Sequence, residues 1–253
     1  MQFRDPLIPG HLLQRYKRFL ADVNINIHEK PQQITAHCPN PGSMLGVAEP
    51  NSTIWLSRQH NPKSKLAWQW QLTETQHSLV GINTLNANAI VADALARQTL
   101  EPFAHYPTLK REVSLKSPTK KPTDTPTETP TETMRVDFVL SNGNTPPCYL
   151  EVKNVTMRAP TPQAYASFPD SITTRGQRHM RVLADMAEQG LNTAVLFVVQ
   201  RSDCQAFCPA DAIDAKYGEA LRHAHRCGTQ IYAYDCQLSP QSITLRNALP
   251  ILL

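Results

Sequence analysis

In the first 82 residues, short apolar segments alternate with turns that contain proline, glycine and asparagine. Five of these segments have the composition of β-strands, at residues 15–23, 33–38, 52–58, 67–73 and 79–82. Strands this short and this closely spaced predict a small barrel of the OB type, although a fragment of a β-sandwich has the same pattern. We therefore expect an N-terminal β-domain over residues 1–82.

From residue 83 onward, helical and strand patterns alternate along the chain. Helices are predicted at 87–99, 172–189 and 212–226, and strands at 110–116, 134–140, 149–157, 193–200 and 230–237. Gly190 and Gly228 follow the apolar repeats of the last two helices, where glycine commonly ends a helix. The order predicts an α/β domain with a mixed central sheet over residues 83–253, so the whole chain is expected to be α+β.

Residues 117–133 interrupt this pattern with a proline at every fourth position and almost no apolar side chain. Such a segment cannot bury enough surface to offset the entropy lost on ordering. We expect a flexible, partly polyproline-like loop without chemistry of its own, and a docking tail for a partner is the alternative.

Composition excludes some classes of protein and leaves others open. The longest apolar run, at 194–199, is far shorter than the roughly 20 residues that a membrane span needs. The N-terminus lacks the basic and apolar regions of a secretory signal, and six sparse cysteines form no Cys-x-x-Cys pair. We expect a cytoplasmic protein with reduced thiols and no membrane partner. The net charge of +4 permits a polyanionic partner but does not identify one.

The informative polar residues lie on the two predicted strands that follow the insertion. Asp137 is flanked by apolar residues on one strand, and Glu151 and Lys153 lie on the next. Residues two apart in a strand share a face, about 6.6 Å apart, so Glu151 and Lys153 point the same way and Leu150 and Val152 point the other way. If the two strands pair as a hairpin, Asp137 is brought beside Glu151.

This grouping is suited to phosphodiester cleavage. Two carboxylates can hold a hard divalent cation such as Mg²⁺ or Mn²⁺, and Glu112 on the preceding strand is a candidate third carboxylate. The Lys153 ammonium can orient or help deprotonate an attacking water and offset charge on the phosphate. The alternative is a solvated strand face with an ordinary ion pair. Neither a small-molecule cofactor nor an oligomeric state is indicated.

Two basic segments are candidate nucleic-acid contacts. Arg175, Arg178 and His179 on the helix after the site could contact backbone phosphates, or they could lie on a solvated helix surface.

Near the N-terminus, Arg15, Lys17 and Arg18 interleave with Tyr16 and Phe19 on a predicted strand, a combination used to bind single-stranded nucleic acid. The alternative there places the two aromatic rings in the core and leaves the cations solvated.

A further pattern, His223-x-His225-x-Cys227, falls in the last predicted helix. Residues two apart on a helix face in different directions, so this spacing does not favour a metal site.

Several stretches resemble the bacterial sugar fermentation stimulation protein A family over nearly the whole chain. They are residues 13–23, 37–44, 83–85 with Asn88, 135–138, 151–156, 168–170 and 175–179. The resemblance implies an OB-like domain joined to a domain like the PD-(D/E)xK nucleases, and a DNA-binding protein that affects sugar (maltose) utilisation. It places Asp137, Glu151 and Lys153 on the nuclease-type motif and Glu112 on a nearby acidic position. Because a nuclease-like fold can be retained for binding alone, the implied function is either a metal-dependent nuclease or a non-catalytic DNA-binding regulator.

Overall fold

The structure is a computed structural model that describes residues 1–27, 29–116 and 133–253. The predicted Thr/Pro-rich insertion at 117–133 lies outside the described residues except for its last residue. The helices are α1 Asn86–Ala96, α2 Thr174–Glu188 and α3 Asp211–Arg226. The strands are β1 Ile8–Tyr16, β2 Leu20–Ile27, β3 Lys30–His37, β4 Thr53–Arg58, β5 Trp68–Glu74, β6 Leu79–Gly81, β7 Thr108–Lys116, β8 Thr133–Ser141, β9 Cys148–Val155, β10 Tyr165–Phe168, β11 Asn192–Val199, β12 Ala206–Pro209, β13 Gln230–Leu238 and β14 Ile243–Ala248.

The first five strands form a closed, OB-like barrel, as the sequence predicts. Their order is β3-β2-β1-β4-β5, and a parallel bridge between His37 and Gln69 closes the ring. Alternate residues of each strand point inward, because successive side chains in a strand face opposite sides. On β2 these inward residues are Ala21, Val23 and Ile25, all buried in the barrel core.

One predicted barrel strand, at 15–23, is wrong. The structure has two antiparallel strands there, β1 and β2, joined by a turn in which Lys17 and Arg18 have left-handed φ values of 45° and 65°. Neither glycine, proline nor asparagine occupies this turn, so the usual sequence signal for a reversal is missing. The alternation of apolar and basic residues therefore looks continuous across it.

The second domain is built on a mixed six-stranded sheet, which confirms the predicted fold class. Its order is β14-β13-β11-β9-β8-β7, with β9, β11 and β13 parallel and the remaining pairs antiparallel. Residues 194–199 of the central strand β11 are all apolar, because both faces of the strand are covered there. Even-numbered residues 194–198 pack in the core with α1, and odd-numbered residues 195–199 pack in the core with α2 and α3.

Helix α2 covers the sheet face that carries the predicted site residues. The Thr173 hydroxyl accepts a hydrogen bond from the Gly176 backbone N–H at 3.0 Å and so caps the helix N-terminus. Gly190, with a φ of 81°, follows the helix end as the sequence predicts.

Three strands are absent from the sequence prediction. They are the short strands β10 and β12, which form a separate parallel pair, and the edge strand β14. In the described part of the chain, none of the helices has the length and apolar character needed to cross a membrane.

The barrel and the mixed-sheet domain are joined by buried polar contacts. The Gly81 N–H donates to the Gln200 carbonyl at 2.8 Å. A Cβ atom on residue 81 would collide with the Gln200 side chain, so glycine favours this close approach. Ser78 Oγ also donates to Asp203 Oδ1 at 2.9 Å across the same boundary.

Candidate functional site

Strand β9 positions Glu151 and Lys153 on one face of the sheet, as the sequence predicts. Leu150 and Val152 pack in the opposite core, which contains α1. Lys153 Nζ donates to Glu151 Oε1 at 2.5 Å, so the two side chains lie together on the face that α2 covers. Both are largely withdrawn from water, with side-chain exposures of 13% for Lys153 and 4% for Glu151.

Asp137 lies beside this pair, where strands β8 and β9 begin to separate. The backbone ladder between the two strands ends at the pair Phe138–Leu150. Beyond that pair, Asp137 Oδ2 accepts a hydrogen bond from the Val152 N–H at 2.8 Å, and Oδ1 accepts from Asn88 Nδ2 on α1 at 2.8 Å. The carboxylate therefore takes the place of a missing backbone acceptor and is held from two sides.

Glu151 is the most deeply buried member of the site. Its Oε1 accepts from Lys153 and from His179 Nδ1, the latter at 2.6 Å. The other oxygen, Oε2, is buried and makes no hydrogen bond with any described residue. On the other side of the ring, Arg175 Nε donates to His179 Nε2 at 3.4 Å, which leaves Nδ1 to face Glu151.

The two carboxylates have opposite electrostatic surroundings. Burial and the neighbouring Glu151 charge raise the pKa of the Asp137 carboxyl. Burial also acts to raise the pKa of Glu151, but Lys153 and the hydrogen bond from His179 outweigh it and hold that pKa below its usual range. Glu151 is therefore the firmly ionised member, and Asp137 carries the cost of a second nearby negative charge.

Lys153 lines a cleft of about 320 Å³ between the two domains. The barrel contributes Asn40, Pro41 and Gly42, and the second domain contributes residues 152–154 and 167–173 among others. Asp170 joins the two sides, because its Oδ2 accepts from the Met44 N–H at 3.3 Å. A Cβ atom on Gly42 would lie 2.1 Å from the same carboxylate, so the loop approaches as closely as glycine allows.

Among the described residues, no hydrogen bond links Glu112 to Asp137 or Glu151. It lies on β7 with a left-handed φ of 57°, and its carboxylate pairs with Arg135 at 2.8 Å. Its side chain is 47% exposed. The prediction that Glu112 is a third metal ligand gains no support from this geometry.

Arg15 has a structural role that the sequence does not reveal. Its guanidinium donates to the carbonyl oxygens of Asn40 and Gly42 at 2.9 Å and to that of Ser43 at 3.3 Å. Arg15 therefore holds the barrel loop that forms one wall of the cleft, and its predicted contact with nucleic acid stays a prediction. Lys17 and Arg18 are exposed in the adjoining turn.

The predicted basic surface of α2 divides into two parts. Arg175 and Arg178 are exposed, as a surface for phosphate contacts requires. His179 is only 3% exposed and donates to Glu151, so its expected position on that surface is wrong. The physical reason is the helical period, which turns position 179 toward the sheet while position 178 points to solvent.

Sequence patterns do not reveal the roles of two residues at the site. Asn88 lies in a family-like stretch, but a neutral amide gives no charge signal that would point to Asp137. The i, i+4 spacing of Arg175 and His179 is the one local sign that these two side chains touch.

Comparisons with known proteins agree over the whole chain. Residues 13–82 match the model of the SfsA N-terminal OB domain, and residues 85–242 match that of the sugar fermentation stimulation protein RE domain. The chain is 42% identical over 253 residues to a sugar fermentation stimulation protein homolog of Pseudoalteromonas atlantica, covering 100% of both chains. It is 43% identical over 254 residues to the homolog of Alkalilimnicola ehrlichii, covering 99% of each.

A solved structure has the same fold. It is Pyrococcus furiosus SfsA in complex with Ca²⁺, with a TM-score of 0.81 and 22% sequence identity, covering 100% of this chain and 98% of the other. Two family models thus match consecutive parts of the chain, and full-length relatives exceed 40% identity. The chain belongs to the sugar fermentation stimulation protein family.

Proposed function

We propose that this chain is a DNA-binding protein whose site at Asp137, Glu151 and Lys153 cleaves phosphodiester bonds with the help of a divalent metal ion. One observation carries the proposal. Asp137 and Glu151 come from two neighbouring strands and are near enough for the Glu151 charge to raise the pKa of Asp137. Glu151 Oε2 is buried without a partner among the described residues, and the Lys153 ammonium, which lines the cleft, lies 2.5 Å from Glu151 Oε1. Most buried carboxylate oxygens in proteins have a hydrogen-bond partner, so an unused one beside a second acid is a candidate ligand atom.

The side chains present fit a divalent cation. Glu151 Oε2 is an unused oxygen donor, and the crowding of two carboxylates raises the pKa of Asp137, a cost that a cation between them would relieve. Asp137 and Glu151 would hold the ion. A divalent ion bound there would act as a Lewis acid on a phosphate oxygen and lower the pKa of a bound water. The solved structure of Pyrococcus furiosus SfsA is a complex with Ca²⁺, another oxygen-binding divalent ion, which supports a metal of this class. We propose Mg²⁺ or Mn²⁺ as the working ion.

The protein groups around the acids have separate tasks. Asn88 and the Val152 N–H fix the orientation of the Asp137 carboxylate. His179 Nδ1 shares a hydrogen bond with Glu151 Oε1 and so helps to hold Glu151 ionised. Lys153 both pairs with Glu151 and lines the cleft, which places its ammonium where it can orient a water and offset charge on an entering phosphate.

DNA reaches the site past the start of α2. The cleft lining ends at Thr173, and the exposed Arg175 and Arg178 follow within the first turns of the helix. Arginines in this position can contact phosphates without reading the sequence. Lys17 and Arg18 in the β1–β2 turn are the corresponding exposed cations on the barrel.

A second candidate function is a non-catalytic DNA-binding regulator of sugar-utilisation genes. The specific observation in its favour is that Glu112 is paired with Arg135, which leaves two acids rather than three at the site. In that case the Asp137–Glu151 pair would be a remnant or a structural metal position, and the arginines of α2 would carry the function.

Cleavage of labelled DNA separates the two candidates. Purified protein is incubated with single-stranded, duplex and branched DNA in Mg²⁺, Mn²⁺ or EDTA, beside the variants Asp137→Ala and Lys153→Ala. We expect metal-dependent cleavage that falls at least about a hundredfold in each variant, the scale on which a positioned acid or base acts, while DNA affinity changes by only a few-fold. Arg135→Ala serves as a control because Arg135 lies on the same strand and forms its salt bridge with Glu112 rather than with Asp137 or Glu151.

Binding without cleavage on every substrate would contradict the nuclease proposal and support the regulator. Cleavage that persists in Asp137→Ala and Lys153→Ala would place the activity elsewhere or in a contaminant.

A further inference from the structure

A second group of metal-binding side chains lies at the far ends of helices α2 and α3. Glu188 is the last residue of α2, and His223 and Cys227 lie one helical turn apart at the end of α3. Among the described residues, these three form the one group of three or more such side chains whose ligand atoms all lie within 4.8 Å of one another. The group does not share a residue with the candidate active site.

The distances within the group match those expected around a metal ion. Cys227 Sγ lies 3.2 Å from Glu188 Oε1 and 3.8 Å from both ring nitrogens of His223. Ligand atoms that are each about 2.0–2.3 Å from one tetrahedral zinc ion stand at similar separations from one another. Because Cys227 Sγ is equally far from both ring nitrogens, the exposed imidazole must turn for one nitrogen to face a shared ion.

In the His223-x-His225-x-Cys227 motif, the two residues that share a face of the helix are His223 and Cys227. His223 and His225 do face different directions, and His225 Nδ1 lies 3.4 Å from the Thr229 carbonyl oxygen. The useful spacing is from His223 to Cys227, which at i, i+4 places both side chains on one face of the helix. The third donor comes from another helix, so no local sequence pattern could have shown it.

The electrostatic setting favours a cation. Both helices end here, and the free carbonyl groups at a helix C-terminus carry partial negative charge. Asp185 adds a further negative charge near Cys227, while Arg226 opposes it. Glu188 and His223 are exposed and Cys227 is partly exposed, so an ion can enter from solvent without any rearrangement of the core.

We propose that Glu188, His223 and Cys227 form a surface binding site for a borderline or soft divalent ion of the zinc class. A thiolate and an imidazole select Zn²⁺ or Co²⁺ over Mg²⁺ and Ca²⁺, which prefer oxygen ligands alone. Cys227 gives up its thiol proton to solvent when the metal–sulfur bond forms. Water completes the coordination, and the bound ion ties the end of α2 to the end of α3.

Titration of the full-length protein with Co²⁺ tests this site by a signal that requires sulfur. Coordination of Co²⁺ by a thiolate produces a charge-transfer absorption in the near ultraviolet, which oxygen ligands at Asp137 and Glu151 cannot produce. We expect this band in the unmodified chain, its loss in Cys227→Ser, and at least about tenfold weaker Co²⁺ binding in His223→Ala and Glu188→Gln, equivalent to about 1.4 kcal/mol per variant. Zn²⁺ should displace Co²⁺ and raise the melting temperature.

Two matched variants guard against general effects. Cys208→Ser removes another partly exposed thiol, and His225→Ala removes the neighbouring histidine of the motif. Both should keep the absorption band and the Co²⁺ affinity. A protein that shows no thiolate band with Co²⁺, or a band that survives in Cys227→Ser, would overturn the proposal.

Discussion

Two acidic side chains, Glu151 and Asp203, are largely buried beside basic partners but differ in how the hydrogen bonds are divided between their two oxygens. Asp203 receives Arg201 through two hydrogen bonds, Nε to Oδ1 at 2.7 Å and Nη2 to Oδ2 at 2.8 Å, and Ser78 adds a third. Both of its oxygens are satisfied. In Glu151, both hydrogen-bond donors, Lys153 and His179, bind Oε1. The other oxygen, Oε2, is buried and has no hydrogen bond among the described residues.

The difference is the one that the proposed function requires between an ion pair that only stabilises the fold and one that also takes part in chemistry. A buried polar atom without a partner costs about 1–3 kcal/mol, so a protein selected for stability alone would remove it. The Asp203 pair lies at the boundary between the domains and leaves nothing for a ligand to bind. The Glu151 pair leaves one donor oxygen beside a second carboxylate, where an ion can bind.

The largest effect is expected when Glu151 and Lys153 are replaced together. The protein should then lose DNA cleavage but keep its stability. In Glu151→Gln with Lys153→Met, the Gln oxygen still accepts from His179 and no unpaired charge remains. We expect the free energy of unfolding to change by less than about 1 kcal/mol, since replacing a buried ion pair is often neutral. DNA cleavage should fall at least about a hundredfold. Denaturant unfolding and the cleavage assay measure the two quantities, and a loss of several kcal/mol would show that the pair is structural.

Asp203→Asn should show the opposite behaviour, with a large cost in stability. It leaves the buried Arg201 guanidinium without its counter-charge, which costs about 3 kcal/mol. Ser78→Ala, which removes only one hydrogen bond to Asp203, should cost about 1 kcal/mol.

The cost of Asp203→Asn should also depend on pH. Burial acts against the charged form, but Arg201 outweighs it and holds the pKa of Asp203 below its ordinary value of 3.8. The stability that Asp203 contributes is therefore present above that value and is lost as the pH falls below it. Unfolding midpoints of the two chains should converge in acid, and a difference independent of pH would exclude this ion pair as the cause.

The smallest effects are expected on the exposed face of α2. Arg175→Ala and Arg178→Ala should each weaken DNA binding a few-fold and reduce the slope of log affinity against log salt by about 0.9, the value for one phosphate contact on duplex DNA. Arg175 also donates to His179, so Arg175→Ala alone should lower cleavage at saturating DNA. Arg226→Ala, at the other end of the domain, is the control. Unchanged salt slopes in both variants would remove α2 from the interface.

The sequence predicts those parts of the molecule that depend on local periodicity. The shared face of Glu151 and Lys153 follows from strand alternation, and the apolar run of β11 marks a strand covered on both sides. The ends of α2 and α3 follow from Gly190 and Gly228. In each case the signal lies within a few residues of the feature it predicts.

The remaining features depend on contacts between distant segments. Arg15 meets the loop at 40–43 only after the barrel closes, and His179 meets Glu151 only after α2 packs on the sheet. The turn at Lys17 and Arg18 is hidden because its left-handed residues are of types that rarely adopt that conformation. The charge pattern alone assigned Arg15 and His179 to a surface, whereas packing decides the role of each.

The contact between Gly42 and Asp170 gives the cleft one wall from each domain. A side chain at position 42 would meet the Asp170 carboxylate and turn it aside, which would also remove the hydrogen bond that this carboxylate accepts from the Met44 N–H. A chimera whose barrel came from a relative with a larger residue at position 42 would therefore have an altered cleft, although each domain kept a core of its own.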